Sequence, residues 1–65
     1  MKRFLTYCQR RILLLIDEGF SSKQIAEKTH NSQRTIETHR YRINKQLGVH
    51  SSHEALLKAK RRGLL

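Results

Sequence analysis

Residues that typically begin and end helices occur along the whole chain, and their positions constrain the fold more than any other feature of the sequence. Gly19, Gly48 and Gly63 each follow a segment with helical periodicity, where a left-handed C-cap residue is needed. Hydroxyl side chains suited to N-capping precede four segments, at Thr6, Ser21, Ser32 and Ser51. Capping boxes are predicted for Thr6–Gln9, Ser21–Gln24 and Ser51–Glu54. With no proline and no alternating apolar pattern, the sequence predicts four helices, at about 6–18, 21–29, 32–47 and 51–62, and no strand.

Apolar residues recur on one face of each predicted helix. The predicted core consists of Ile12, Leu13, Leu15, Ile16, Ile25, Ala26, Ile36, Ile43, Leu47, Val49, Ala55, Leu56 and Ala59. His39 lies beside this face, either as a packed structural residue or against a phosphate. The expected fold class is all-α, a compact four-helix bundle that forms a single domain over residues 1–65.

The charge of the chain favours an anionic partner. The formal net charge is +9, and residues 34–65 carry eight basic and two acidic side chains. A basic half on a small domain indicates nucleic acid first and an anionic membrane surface second, with a merely solvated basic surface as the alternative.

The second and third predicted helices are separated only by His30 and Asn31 before Ser32 caps the third. A short helix, a tight turn and a longer helix form a helix-turn-helix, whose second helix enters the major groove of DNA. The same spacing is found in other small helical bundles, so it does not by itself identify a DNA-binding motif. The exposed side chains of the third helix provide the further evidence.

The outer face of the third helix carries the side chains that DNA recognition requires. Opposite Ile36, or on its flank, helical geometry places Arg34, Glu37, Thr38, Tyr41, Arg42 and Lys45. Arginine can bind guanine, glutamate can accept from cytosine, and threonine or tyrosine can serve several base edges. We therefore predict base contacts for Arg34, Thr38 and Tyr41, and phosphate contact for Arg42; an ordinary solvated helix face is the alternative.

The start of the second helix is a second candidate contact. Free backbone N–H groups at a helix start favour an anion, and Lys23 adds charge. Self-capping by Ser21 and Gln24 is compatible with this interpretation.

The chain resembles the LuxR-type (GerE-like) DNA-binding domain of bacterial transcription regulators over about residues 5–65. The most specific part is Thr35-Ile36-Glu37-Thr38-His39 with Ile43 and Lys45-Gln46-Leu47-Gly48-Val49. The resemblance implies a four-helix domain that binds double-stranded DNA, usually as a dimer. It implies base contacts at Glu37, Thr38 and Tyr41, phosphate contacts at Lys23, Gln24, Thr35 and Lys45, and dimer contacts along the fourth helix, where we assign Leu56, Leu57 and Lys60.

Several positions depart from the pattern of that family. They are Gln9 and Arg11 in place of glutamates, Thr29, Asn31 and Arg40 in place of apolar residues, and Ser52 in place of arginine. The stem of Arg40 is expected to pack while its head reaches a phosphate or solvent.

Other functions find little support in the sequence. The lone Cys8 forms no internal disulfide, and His50 and His53 lack the cysteine pair or acidic cluster of a zinc site. No nucleophile–base pair, glycine-rich phosphate loop or paired carboxylates are visible, so we predict no catalysis and assign neither metal nor cofactor. Apolar runs are too short for a signal peptide or a membrane span, and we expect a cytoplasmic, nucleoid-associated protein.

Tyr7 and Leu14 point away from the predicted core, beside Arg10 and Arg11. They are a candidate contact for a sensory domain absent from this chain or for RNA polymerase. The leading function is sequence-specific DNA binding in transcription regulation. A sigma-factor-like promoter-binding domain and a non-catalytic helical interaction module are the alternatives.

Overall fold

The four predicted starts are N-caps in the computed structural model, which describes residues 5–65. Residues 1–4 of the predicted domain lie outside the described part. The helices are α1 (Tyr7–Asp17), α2 (Ser22–Thr29), α3 (Gln33–Leu47) and α4 (Ser52–Arg61). Glu18 and Arg62, at the predicted ends of α1 and α4, are C-caps.

Side-chain capping explains where the helices begin. In the boxes at Thr6 and Ser21, each hydroxyl accepts from the backbone N–H three residues on, and the glutamine there accepts from the cap N–H in return. The box predicted at Ser51 is half formed. Ser51 Oγ accepts from Glu54 N at 3.1 Å, but Glu54 Oε1 accepts from His50 N at 2.9 Å instead of from Ser51.

The turn between α2 and α3 is built from residues that are not glycine. His30 caps α2 in the left-handed region, with φ 58° and ψ 41°, and is the one non-glycine residue of the described range with positive φ. Asn31 Nδ2 donates to the carbonyl and hydroxyl oxygens of Thr29 at 3.2 and 3.0 Å, and Thr29 Oγ1 donates to Ile25 O at 2.8 Å. The polar departures at 29 and 31 are therefore satisfied by local hydrogen bonds.

All four helices contribute to the core. The buried side chains are Ile12, Leu13, Ile25, Ala26, Ile36, Ile43, Leu47, Ala55, Leu56 and Ala59, with Leu15, Ile16 and Val49 partly buried against them. The predicted core is confirmed, and His39 is half-buried beside it. The burial of Leu56, 8% exposed, corrects the prediction that it offers a dimer surface, because its side chain packs inward.

Helix α3 packs against each of the other three helices. Gln9 Nε2 of α1 donates to Gln46 Oε1 of α3 at 3.1 Å, so the departure at position 9 joins these two helices. Lys58 of α4 donates from Nζ to Leu47 O at 2.7 Å, at the carboxyl end of α3. A cation there offsets the negative end of the helix dipole. Helix α3 is thus packed against the other three helices and hydrogen-bonded to two of them near its carboxyl end.

Candidate nucleic-acid interface

One face of α3 is turned to solvent, and it carries the predicted DNA contacts. With 15 residues, α3 is about 22 Å long, at 1.5 Å per residue. Its exposed side chains include Arg34, Glu37, Thr38, Tyr41, Arg42 and Lys45. The core side chains Ile36, Ile43 and Leu47 lie on the opposite face. Burial of one face therefore leaves the polar and basic face free for a ligand.

The middle of this face pairs an aromatic ring with a cation. Tyr41 is 62% exposed, and Lys45 Nζ lies 5.6 Å from the centre of its ring. This contact holds the lysine beside the ring, where the phenol can meet a base edge while the ammonium group meets a phosphate. The single carboxylate of α3 is Glu37, against four basic side chains in the same helix.

Thr35 lies in a different environment from the other predicted contacts. It is half-buried within the cap of α3, where its N–H donates to Ser32 Oγ at 3.1 Å and its hydroxyl lies 2.9 Å from the same oxygen. Any phosphate contact of Thr35 would share its hydroxyl with the cap.

The start of α2 presents Lys23 and Gln24 to solvent. Gln24 Oε1 accepts from Ser21 N at 2.9 Å, as the self-capping interpretation predicted, so the amide atom that could donate to a phosphate is Nε2. The structure supports self-capping and leaves the lysine available for an anion.

Sequence reasoning missed the role of Arg40. The expectation was that its head reaches a phosphate or solvent. Instead, Nε donates to Ser52 Oγ at 2.9 Å and Nη1 donates to Ser22 Oγ at 2.6 Å. The departures from the family pattern at 40 and 52 therefore form one hydrogen-bonded unit. The sequence did contain a signal for this contact. Arg40 replaces an apolar residue and Ser52 replaces an arginine, so a large cation is gained at one position and lost at the other.

The remaining predicted contact surfaces lie on α4 and α1. Leu57 is 47% exposed, and Lys60 forms an exposed ion pair with Asp17 at 3.1 Å. Tyr7 and Leu14 are 74% and 44% exposed, as the helical geometry predicted.

Within residues 5–65 no group of three His, Cys, Asp or Glu side chains is placed to hold a metal ion. No helix of this range combines the length and the hydropathy that a membrane span needs.

Comparison with known proteins identifies this architecture. Residues 3–59 match the GerE family model, described as bacterial regulatory proteins of the luxR family. The chain belongs to the LuxR family. It is a LuxR-type helix-turn-helix DNA-binding domain of transcription regulators, and this family is non-enzymatic.

Individual relatives agree with the family match. The chain is 43% identical over 60 residues to the "Uncharacterized response regulatory protein YgeK" of Escherichia coli (strain K12), covering 92% of this chain and 41% of that protein. It is 39% identical over 62 residues to the "HTH-type transcriptional regulator AlkS" of Pseudomonas putida, covering 95% of this chain and 7% of that one. The chain thus spans less than half the length of these relatives.

The similarity to a solved structure of the transcription factor GerE extends over both chains. The TM-score is 0.92 at 30% sequence identity, with 98% of this chain and 96% of that chain covered. The predicted all-helical fold is therefore confirmed.

Proposed function

We propose that this LuxR-family domain recognises specific sequences in double-stranded DNA, with α3 in the major groove, and regulates transcription in bacteria. The observation that carries the proposal is the solvent-facing side of α3, where exposed hydrogen-bonding side chains stand among arginines and a lysine. The major groove, about 12 Å wide, admits an α-helix and presents a distinct donor and acceptor pattern for each base pair.

The proposed base contacts are Arg34, Glu37, Thr38 and Tyr41. All four are exposed on α3. They span about two turns, which suits a few successive base pairs. A good bidentate contact such as arginine to guanine discriminates against the wrong base by about 1–3 kcal/mol.

The proposed phosphate contacts are Lys23, Gln24, Thr35, Arg42 and Lys45. Three of these side chains are cationic. At about −0.9 per neutralised phosphate, they predict a slope of log K against log salt of about −2.7 for one domain. Such a domain binds weakly by itself at physiological salt.

A second copy of the domain would strengthen binding. We assign the contact to α4, where the exposed Leu57 offers an apolar side chain beside Lys60. Two copies on a two-fold operator would place their recognition helices about 34–36 Å apart and double the salt slope to about −5.4.

The exposed face of α1 is assigned to a further domain of the same protein. The support is that the chain covers only 41% and 7% of the two curated relatives, and that Tyr7 and Leu14 stay exposed. RNA polymerase is the other candidate for this face. Because its ligand is chromosomal DNA, we place the protein in the cytoplasm, associated with the nucleoid.

The test is selection of bound duplexes from a random DNA pool at about 150 mM salt, near physiological ionic strength. An enriched motif is the expected result, and a two-fold motif with fixed spacing indicates the dimer. Recovery of random sequence would contradict sequence-specific recognition by this domain.

A further inference from the structure

Arg40 is a half-buried cation that joins three helices. Its Nε donates to Ser52 Oγ at 2.9 Å, and its Nη1 donates to Ser22 Oγ at 2.6 Å. In the part of the chain that the structure describes, the one ion pair is that of Lys60 with Asp17, so Arg40 has no carboxylate partner there. Two neutral hydroxyl groups hold its guanidinium instead.

The two serines occupy equivalent positions. Ser22 is the first residue of α2, and Ser52 is the first residue of α4. The backbones of α2 and α4 do not pack directly against each other, whereas α1 and α3 each pack against both. The guanidinium of Arg40 therefore links the starts of two helices that are otherwise connected only through their packing on α1 and α3.

Each end of the Arg40–Ser22 hydrogen bond lies next to a proposed DNA contact. Lys23 follows Ser22 along α2, and Tyr41 follows Arg40 along α3. Ser22 is only 6% exposed, so this bond is sheltered from water. A hydrogen bond from a charged donor in such a site is stronger than an exposed one.

We propose that Arg40 is a positioning residue that fixes the start of α2, with its phosphate contacts, relative to the base-contacting face of α3. This proposal rests on the proposed DNA-binding function. A recognition site requires its contacts to be held within about 0.5 Å of the productive geometry by supporting hydrogen bonds. Because only the correct sequence engages both sets of contacts together, loss of the link lowers specific binding more than nonspecific binding.

Arg40→Lys is the decisive variant because it keeps the charge and the apolar stem. A lysine ammonium is a point charge on a flexible stem and does not reproduce the planar fork that spans two acceptors. Arg10→Lys is the matched control, since Arg10 is an exposed arginine of α1 that lies outside the proposed DNA contacts. Ser22→Ala removes one acceptor without altering any charge.

Binding is measured by fluorescence anisotropy with the selected duplex and with a scrambled duplex, at a temperature where all variants are folded by circular dichroism. For Arg40→Lys we expect about tenfold weaker binding to the selected duplex, the equivalent of one or two lost hydrogen bonds, and less than about twofold change on the scrambled duplex. Ser22→Ala alone should show part of this loss. The double variant Arg40→Lys/Ser22→Ala should bind the selected duplex no more weakly than Arg40→Lys. Arg10→Lys keeps the charge at a site away from the proposed DNA contacts and should stay within about twofold of the wild type on both duplexes.

A readout without DNA tests the geometry itself. In the free domain, the Nε–H signal of Arg40 in a nitrogen-15 NMR spectrum should be protected from exchange, and Ser52→Ala should abolish the protection. An Nε–H in fast exchange in the wild type would overturn the proposal.

Two binding results would also overturn it. If Arg40→Lys distinguished the selected from the scrambled duplex as well as the wild type does, the positive charge at position 40 would suffice without the two hydrogen bonds. A salt slope lowered by about 0.9 on both duplexes in Arg40→Met would show that Arg40 contacts a phosphate directly.

The failure of this proposal is distinguishable from that of DNA recognition. If the wild type does not distinguish the selected from the scrambled duplex, both proposals fail. If the wild type discriminates and Arg40→Lys does so equally, only the role of Arg40 is refuted. Should Arg40→Lys not fold, Ser22→Ala carries the same comparison.

Discussion

Lys58 and Lys60 are two lysines of α4 with different surroundings, and replacing each by methionine should affect stability unequally. Lys58 is half-buried, and its Nζ donates to Leu47 O at 2.7 Å at the end of α3. Lys60 pairs with Asp17 at 3.1 Å, with side chains 50% and 39% exposed. Methionine keeps the apolar stem in both cases and removes one positive charge in both, so the two variants differ in the polar contact that is lost and in how deeply the stem is buried.

The expected magnitudes follow from these contacts. A hydrogen bond from a charged group contributes about 1.5–3 kcal/mol, and we take the lower part, about 1.5 kcal/mol, because Lys58 is only partly buried. In a domain of this size that lowers the melting temperature by roughly 6–12 °C. The exposed pair of Lys60 contributes about 0–0.5 kcal/mol after screening by solvent, a change of roughly 0–4 °C.

The assay is thermal unfolding of the free domain followed by circular dichroism at about 0.1 and 1 M salt, where the Debye length falls from about 10 to 3 Å. Most of the effect of Lys58→Met should persist at high salt, because its partner is a neutral carbonyl in a partly buried contact; only the helix-dipole part is screened. Any effect of Lys60→Met should fade. Equal losses in the two variants, or a larger loss for Lys60→Met, would show that the hydrogen bond from Lys58 to Leu47 does not stabilise the domain more than the exposed ion pair does.

Three further results are expected. His30→Gly should raise the free energy of unfolding, measured in urea, by about 0.5–1 kcal/mol, since glycine lacks the Cβ that strains a left-handed backbone; destabilisation would show that this backbone conformation is not strained. Leu14→Lys should cost no more than about 1 kcal/mol and leave DNA binding by the isolated domain intact, because Leu14 is 44% exposed; loss of folding would place Leu14 in the core. Lys23→Met should weaken binding to all duplexes nearly equally and reduce the salt slope by about 0.9, whereas a change confined to one sequence would assign Lys23 to base readout.

The helices and the core were predictable from the sequence because their determinants are local. A hydroxyl cap and a glutamine three residues on determine the start of a helix, as at Thr6 and Ser21, and periodicity of about 100° per residue identifies the buried face. The same periodicity placed Tyr41 and Leu14 on exposed faces.

The contacts between helices were not predictable in this way. Arg40 finds its partners 12 and 18 residues away on two other helices, and Lys58 binds a carbonyl 11 residues away. Long polar side chains have many rotamers, so their partners depend on how the helices pack. The left-handed conformation of His30 was missed for a different reason, because glycine is the usual residue there and histidine carries no strong signal.

Sequence recognition by α3 is tested most directly by repeating the selection from a random pool with three proteins: the wild type, Thr38→Ala/Tyr41→Ala, and Lys23→Met. We expect that the motif enriched by the wild type changes or loses information at particular base pairs in the double variant, and that Lys23→Met enriches the wild-type motif with lower overall recovery. If the double variant, folded by circular dichroism, enriched the wild-type motif unchanged, the outer face of α3 would not read the sequence.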